Sequence, residues 1–202
     1  MSSGMGLREL KAHRTRAAIL SVALELFERQ GYDATTMEQI AEAAEVAPTT
    51  LYRYYPTKDS TLVSQLIPEY GRLADDLRER PAPESLAVAL GQALHARLQK
   101  ADDDALHISR VRRMIDSVPA ARARVWDSWY QETALLEQAI ADRTGADTGE
   151  LWVQITARTC MTVLQMALDM LRAPDPRPAA QYADEIIREL SRSSVVLPTL
   201  PD

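Results

Sequence analysis

Pro48-Thr49-Thr50-Leu51-Tyr52-Arg53-Tyr54-Tyr55-Pro56-Thr57-Lys58 is the stretch that decides how this chain reads. The fixed φ of Pro48 suits the first turn of a helix, where its missing N–H would be unpaired anyway, and Pro56 closes the segment. Leu51 and Tyr55 lie four apart and anchor one face inward, which leaves Thr49, Thr50, Tyr52, Arg53 and Tyr54 over the remaining surface. Short side chains at the start of a helix let its N-terminus enter a DNA major groove. Tyrosine and lysine side chains can hold phosphates and fix the register.

Upstream, Thr35-Thr36-Met37-Glu38-Gln39 offers a capping box in two registers, Thr35 with Glu38 or Thr36 with Gln39. Met37, Ile40, Ala41 and Ala44 give the short helix that follows an apolar stripe. Ile19, Ala23, Leu26 and Phe27, with Leu20 and Leu24 beside them, make 8–30 a helix with one buried face, and Gly31 is placed to cap its C-terminus. Three helices within 56 residues, the last two joined tightly, form a helix-turn-helix, a geometry that all-α proteins also contain by accident.

Outward from this unit the chain keeps helical spacing, and no window alternates with β-branched enrichment. The fold class is all-α, with about nine helices. A connecting helix is expected over 57–80, kinked at Pro68. Pro81 and Pro83 end it, and further helices follow at 84–100, 103–116, 119–143, 148–173 and 178–192. The Asp102-Asp103-Asp104 run puts carboxylates at a helix N-terminus, Pro119 opens the next helix, Gly145 ends it, and Asp147 with Glu150 can cap another. The organisation is therefore an arm and helix-turn-helix domain over 1–56, the connecting helix, a helical bundle over 81–192, and a frayed tail from Ser193.

With 202 residues, 46% apolar and 26% charged, the chain can bury a core, and 7 Gly, 11 Pro and 1 Cys exclude collagen-like and disulfide-stapled classes. No window approaches a membrane span and the N-terminus lacks the apolar core of an export signal, so a cytoplasmic location without membrane association is expected. A net charge of −6 opposes a nucleic-acid partner at long range. Its distribution does not. Residues 1–66 carry 7 Lys/Arg against 8 Asp/Glu, whereas residues 67–202 carry 16 against 21. Arg8, Lys11, Arg14 and Arg16 form a local basic arm with only Glu9 among them.

From Arg14 to Leu62 the sequence resembles the DNA-binding domain of TetR-type bacterial regulators. The resemblance lies in Leu26-Phe27-Glu28-Arg29-Gln30-Gly31-Tyr32, Thr35-Thr36-Met37-Glu38-Gln39-Ile40-Ala41 and Leu51-Tyr52-Arg53-Tyr54-Tyr55-Pro56-Thr57-Lys58, in that order and spacing. Departures are Glu45 where the family often has Gly, Ala47 in place of a Ser or Thr cap, and Tyr55 for the usual Phe. The resemblance implies a homodimeric, ligand-responsive repressor of a pseudo-palindromic double-stranded DNA operator. It implies Thr36 as a phosphate contact, Met37 as a residue able to reach the groove, and Pro48 and Thr49 as base-edge readers. It further implies Thr50 as a mixed contact and Tyr52, Tyr54 and Lys58 as backbone clamps, with Arg53 on the same face. For Met37, Tyr52 and Tyr54 the alternative is a place in the domain core.

The C-terminal part carries less specific signals. Trp126, Trp129 and Tyr130, with Trp152 on the next helix, could wall an apolar effector site or simply pack a core. His107 near Arg110 and Arg113 could meet an acidic ligand group. The run from Val118-Pro119 through Arg122, Trp129 and Gly145 is loosely similar to regulators proposed to bind acyl-CoA-like ligands. His13, His95 and His107 make no metal-ligating pair and no cofactor motif is present, so neither a metal nor a cofactor is expected. Thr159, Val163 and Met166 on one helix and Ile186, Ile187 and Leu190 on the next have stripes suited to a symmetry mate. Cys160 reads as a small buried hydrophobe. No phosphate-binding loop or catalytic pairing supports an enzyme. A helical protein-interaction module without DNA binding remains the alternative function.

Overall fold

The computed structural model describes residues 6–66, 73–173 and 177–192. Ten α-helices and one short 3-10 helix make up the regular structure, with no strand among the described residues. The chain divides into two compact units, residues 1–68 with 110–126, and residues 69–109 with 127–202.

The first unit starts with α1 (Leu7–Gln30), so the basic residues expected as an arm belong to a helix. Gly31 ends it at φ 91° and donates its N–H to Phe27 O at 3.0 Å, a left-handed cap that glycine adopts without strain. Of the two possible capping boxes α2 (Met37–Ala43) takes the second: Gln39 N donates to Thr36 Oγ1 and Thr36 N to Gln39 Oε1. Thr35 instead turns inward and donates its hydroxyl to Gly31 O at 2.8 Å. Four residues then lead to α3 (Pro48–Tyr54), whose N-cap Ala47 makes no side-chain bond. Ile19, Phe27, Ile40 and Leu51 are fully buried in this unit, joined by Val111, Ile115 and Ala121 from the later part of the chain.

The expected continuous helix over 57–80 is not formed. Thr57 and Ser60 cap α4 (Lys58–Val63), which ends after six residues. The reason is local competition for carbonyls. Thr61 donates its hydroxyl to Lys58 O at 2.7 Å, and the Gln65 side-chain amide takes Thr61 O at 3.3 Å, so the Gln65 N–H turns to Leu62 O in a tighter turn. The next helix among the described residues is α5 (Leu73–Arg78), and the expected kink at Pro68 lies outside the described residues, as does the tail from Ser193.

In the second unit α6 (Leu86–Asp103), α9 (Leu151–Asp169), the 3-10 turn Met170–Arg172 and α10 (Ala179–Ser191) pack together, with α5 against α6. The unit boundary falls within α7 (Ala105–Ser117) and within α8 (Pro119–Thr144). Leu73, Leu77, Leu98, Leu136, Ile140 and Leu164 are fully buried. Polar groups lock the ends of elements. Glu132 of α8 accepts the Leu73 and Ala74 amides at 3.0 and 3.3 Å, and Arg143 donates to the carbonyls of Arg80, Pro81 and Glu84. The Asp102 carboxylate, expected to start the following helix, instead accepts Ala179 N at 2.5 Å and Ala180 N at 3.2 Å, closing the start of α10 77 residues away. Asp147 and Glu150 fix the loop before α9 rather than capping it, Asp147 accepting from Gly149 N and Glu150 from Asp147 N.

Glu45, in the turn between α2 and α3, has φ 54°, a left-handed conformation that costs a side-chain-bearing residue about 1–2 kcal/mol. Glycine relieves that strain and gives back part of it in unfolded-chain entropy. Glu45→Gly is expected to stabilise the protein by about 0.5–1 kcal/mol, read as a rise in the denaturant midpoint at constant slope. A fall in the midpoint would contradict the account.

Candidate nucleic-acid interface

Packing of α3 fixes what it shows. Leu51 is 0% and Tyr55 6% exposed, so the helix is pinned along that edge. Pro48, Thr49, Tyr52 and Arg53 are exposed and Thr50 is half-buried, a first turn of small side chains open to a partner. Thr36, at the N-cap of α2, is also exposed. Met37 is buried at 8% exposure and continues the stripe of Ile40 and Ala41, so it belongs to the core.

Three of the residues expected as backbone clamps have partners within the protein. Tyr54 is half-buried, and the guanidinium groups of Arg16 and Arg53 lie 5.2 and 5.3 Å from its ring centre, which gathers two cations around one aromatic face. Tyr52 donates its hydroxyl to Glu38 Oε1 at 3.0 Å. Lys58 departs furthest from expectation. Its ammonium donates to Tyr32 O at 2.6 Å, Thr35 O at 2.9 Å and Asp33 O at 3.3 Å, and lies 4.3 Å from the centre of the Tyr32 ring. An ammonium has three N–H groups and all three are engaged. Gln30, the last residue of α1, braces the same loop by donating to Gln39 Oε1 at 2.9 Å and to Thr35 Oγ1 at 3.3 Å. Residues 31–36, which set the start of α2, are thus held from both sides.

Burial sets the electrostatics of Tyr32, and hydrogen bonding sets those of Tyr52 and Glu38. Tyr32 is pushed up to about 12, chiefly by burial and then by the nearby Asp59 and Asp33 carboxylates. Tyr52 is raised by its bond to Glu38, and Glu38 is lowered by its own backbone N–H and by Tyr52. Both therefore hold the phenol protonated and the carboxylate ionised at neutral pH.

The residues expected to line an effector pocket do not converge. Trp129 is buried on α8 in line with Glu132, Leu136 and Ile140, at helical spacings of three, seven and eleven, whereas Trp126, three residues before it, is 67% exposed and Tyr130, the next residue, is 78% exposed. Arg110 forms a two-pronged pair with Glu28 in the first unit. His107 is half-buried. Trp152 does line a cavity, a 650 Å³ apolar groove in the second unit between α6, α9 and α10. That groove also contains Thr159, Val163, Ile187 and Leu190, four of the residues expected at a dimer interface, and Cys160. Met166 is 42% exposed and Ile186 half-buried on the same two helices. Among the described residues no cluster of His, Cys, Asp or Glu is arranged to hold a metal ion, and no helix is long and apolar enough to cross a membrane.

The sequence pattern of bacterial regulatory proteins of the tetR family matches residues 19–63, the helices just described, and that of the MftR C-terminal domain matches residues 84–194. The chain belongs to the TetR family. It is a DNA-binding transcriptional regulator. It is 34% identical over 152 residues to the HTH-type transcriptional regulator TcmR of Streptomyces glaucescens, covering 72% of this chain and 67% of that protein. Over 58 residues it is 47% identical to the HTH-type transcriptional repressor KstR of Rhodococcus jostii, a match that spans 29% of this chain and 27% of KstR. Among solved structures the fold resembles NalD, the secondary repressor of the MexAB-OprM multidrug efflux pump in Pseudomonas aeruginosa, at 22% identity with a TM-score of 0.59 over 90% of this chain and 96% of that one. It also resembles Thermus thermophilus FadR in complex with lauroyl-CoA, at 19% identity with a TM-score of 0.53 over 93% and 98% of the two chains.

Sequence reading missed the internal partners of this TetR face. Gln30, Glu38 and the carbonyls under Lys58 are ordinary surface residues by pattern, and the relevant bonds join positions 9, 14 and 26 apart. Lys58→Met keeps the stem and removes three hydrogen bonds from a charged donor. It is expected to lower stability by about 2 kcal/mol, measured by chemical denaturation, and an unchanged midpoint would show that the brace carries no energy. Burial pushes the Cys160 thiol up to about 11. Its alkylation by iodoacetamide should be slow at pH 7.5 and should accelerate progressively as pH approaches 11; a rate already at its plateau by pH 9 would contradict that environment.

Proposed function

We propose that this regulator is a homodimeric repressor that reads a pseudo-palindromic operator through the exposed first turn of α3 and leaves it when a small apolar or amphipathic effector binds. The supporting observation is the division of α3, with Leu51 and Tyr55 buried while Pro48, Thr49 and Arg53 face outward. Thr49 reads base edges, Pro48 and Thr50 shape the close approach, and Thr36, Arg53 and the Tyr54 ring with its two guanidinium groups engage the backbone. Lys58 acts indirectly by holding the loop from which α2 starts.

One recognition helix spans only a few base pairs, so two must meet successive major grooves about 34 Å apart or a multiple of it. The apolar face of α9 and α10 is the surface we assign to the second copy. Leu151, Ile155 and Met166 are 70%, 55% and 42% exposed there, beside Ile187 and Leu190 at 38% and 40%. A large exposed apolar surface of that kind is costly in water unless covered. For the effector, the repressor names of KstR and NalD support release rather than activation, and the lauroyl-CoA held by FadR makes acyl thioesters the first class to screen.

Selection of bound duplexes from a random pool is expected to return a site with two-fold symmetry, and an asymmetric site would overturn the dimeric reading. Thr49→Ala should alter base preference at one position of each half-site by about 1–3 kcal/mol of discrimination. Lys58→Ala should weaken all sequences while leaving the salt slope unchanged, because no phosphate contact is lost. Ile155→Asp should shift the dimer–monomer equilibrium toward monomer by tenfold or more in sedimentation experiments.

A further inference from the structure

We propose that Glu38 is a specificity-determining residue of the DNA-reading face, one that positions Tyr52 and penalises DNA held by its phosphates alone. The inference rests on the assignment of α3 as the reading helix. Glu38 lies on α2 two residues beyond the exposed Thr36, is itself exposed, and is joined to α3 by the 3.0 Å bond from the Tyr52 hydroxyl to its Oε1. No lysine or arginine is paired with it among the described residues, whereas Glu28, Asp59 and Asp76 elsewhere each have an arginine.

A phenol has one proton to donate, and in the free protein Tyr52 gives it to a carboxylate. Charge-assisted bonds of this kind are the stronger sort, so a phosphate oxygen can take that proton only by displacing a bond already made. The displaced carboxylate would then be left facing the phosphate backbone with no cation beside it, and like charges at close range in a partly desolvated interface are repulsive. Tyr52 is therefore held across the α2–α3 gap as a rigid ring, and its contribution to binding comes from the ring face and its placement rather than from a donated proton. Any duplex gains from Arg16 and Arg53, but only one whose bases satisfy the first turn of α3 recovers what Glu38 costs. The net effect is a lower affinity for all DNA and a higher ratio of operator to non-operator binding.

The charge and the hydrogen bond separate experimentally, because Glu38→Gln keeps an acceptor for Tyr52 and removes only the charge, while Glu38→Ala removes both. Binding of the full chain to its selected operator and to an unrelated duplex of equal length would be measured across a salt series for wild type, Glu38→Gln, Glu38→Ala and Tyr52→Phe. Glu38→Gln is expected to bind the unrelated duplex about tenfold more tightly, gain less on the operator, and so lose specificity several-fold. Glu38→Ala should tighten unrelated binding equally but lose operator affinity, since Tyr52 is no longer held, and Tyr52→Phe should change unrelated binding less than twofold. Equal gains on both duplexes for Glu38→Gln, or no change on either, would overturn the inference while leaving the regulator intact. A tenfold loss on both duplexes in Tyr52→Phe would show that the hydroxyl does reach phosphate, and would overturn it as well. If wild type bound the selected operator no better than the unrelated duplex, the underlying reading of α3 would be the one to fail.

Discussion

A helix of seven residues has too few internal hydrogen bonds to persist in water, so α3 exists only because Leu51 and Tyr55 are buried beneath it. Everything that the first unit offers to DNA depends on that burial. The two anchors fix the rotation of α3 about its own axis, and the rotation determines that Thr49 and Arg53 point away from the core. Pro48 starts the helix without a side-chain cap, and the chain accepts a left-handed Glu45 in the turn that leads to it. Stability at the turn is thus lower than the fold permits, while the anchors keep the geometry unique.

Around α3 the unit is tied by side-chain hydrogen bonds, some to backbone and some to other side chains. Lys58 and Gln30 hold residues 31–36, Thr36 and Gln39 close the start of α2, and Glu38 reaches across to Tyr52. The bonds of Lys58 and Tyr52 each convert a donor that could have met phosphate into one that orients a neighbour, so that a face rich in hydroxyls and cations by composition presents fewer free donors. An acidic protein with a net charge of −6 gains little from non-specific attraction, and a restrained face suits a regulator that must ignore most DNA.

The second unit solves a different problem. Its helices close on one another through buried leucines and through carboxylates that cap distant helix starts, Glu132 for α5 and Asp102 for α10. Burial pushes Glu132 upward and the Ala74 and Leu73 amides pull it down. What the unit leaves uncovered is the apolar face of α9 and α10, with the groove lined by Trp152, Thr159 and Leu190 at its centre.

Local patterns settled the helices: the stripe from Ile19 to Phe27, the caps at Gly31 and Gly145, Pro48 at the start of α3 and Pro119 at the start of α8 could all be placed by residue type and spacing. Those features depend on neighbours within one or two turns. The same argument identified Leu51 and Tyr55 as inward anchors, and from them the outward set of α3. Contacts between elements were beyond it. Lys58 bonds to carbonyls 23 to 26 residues earlier, Asp102 to amides 77 residues later, and Trp126 is exposed although it lies three residues before the buried Trp129, at a spacing that shares its face. A carbonyl or an amide at such a distance has no sequence signature, because every residue carries one. Only the packing of the helices decides which of them an ammonium or a carboxylate will meet.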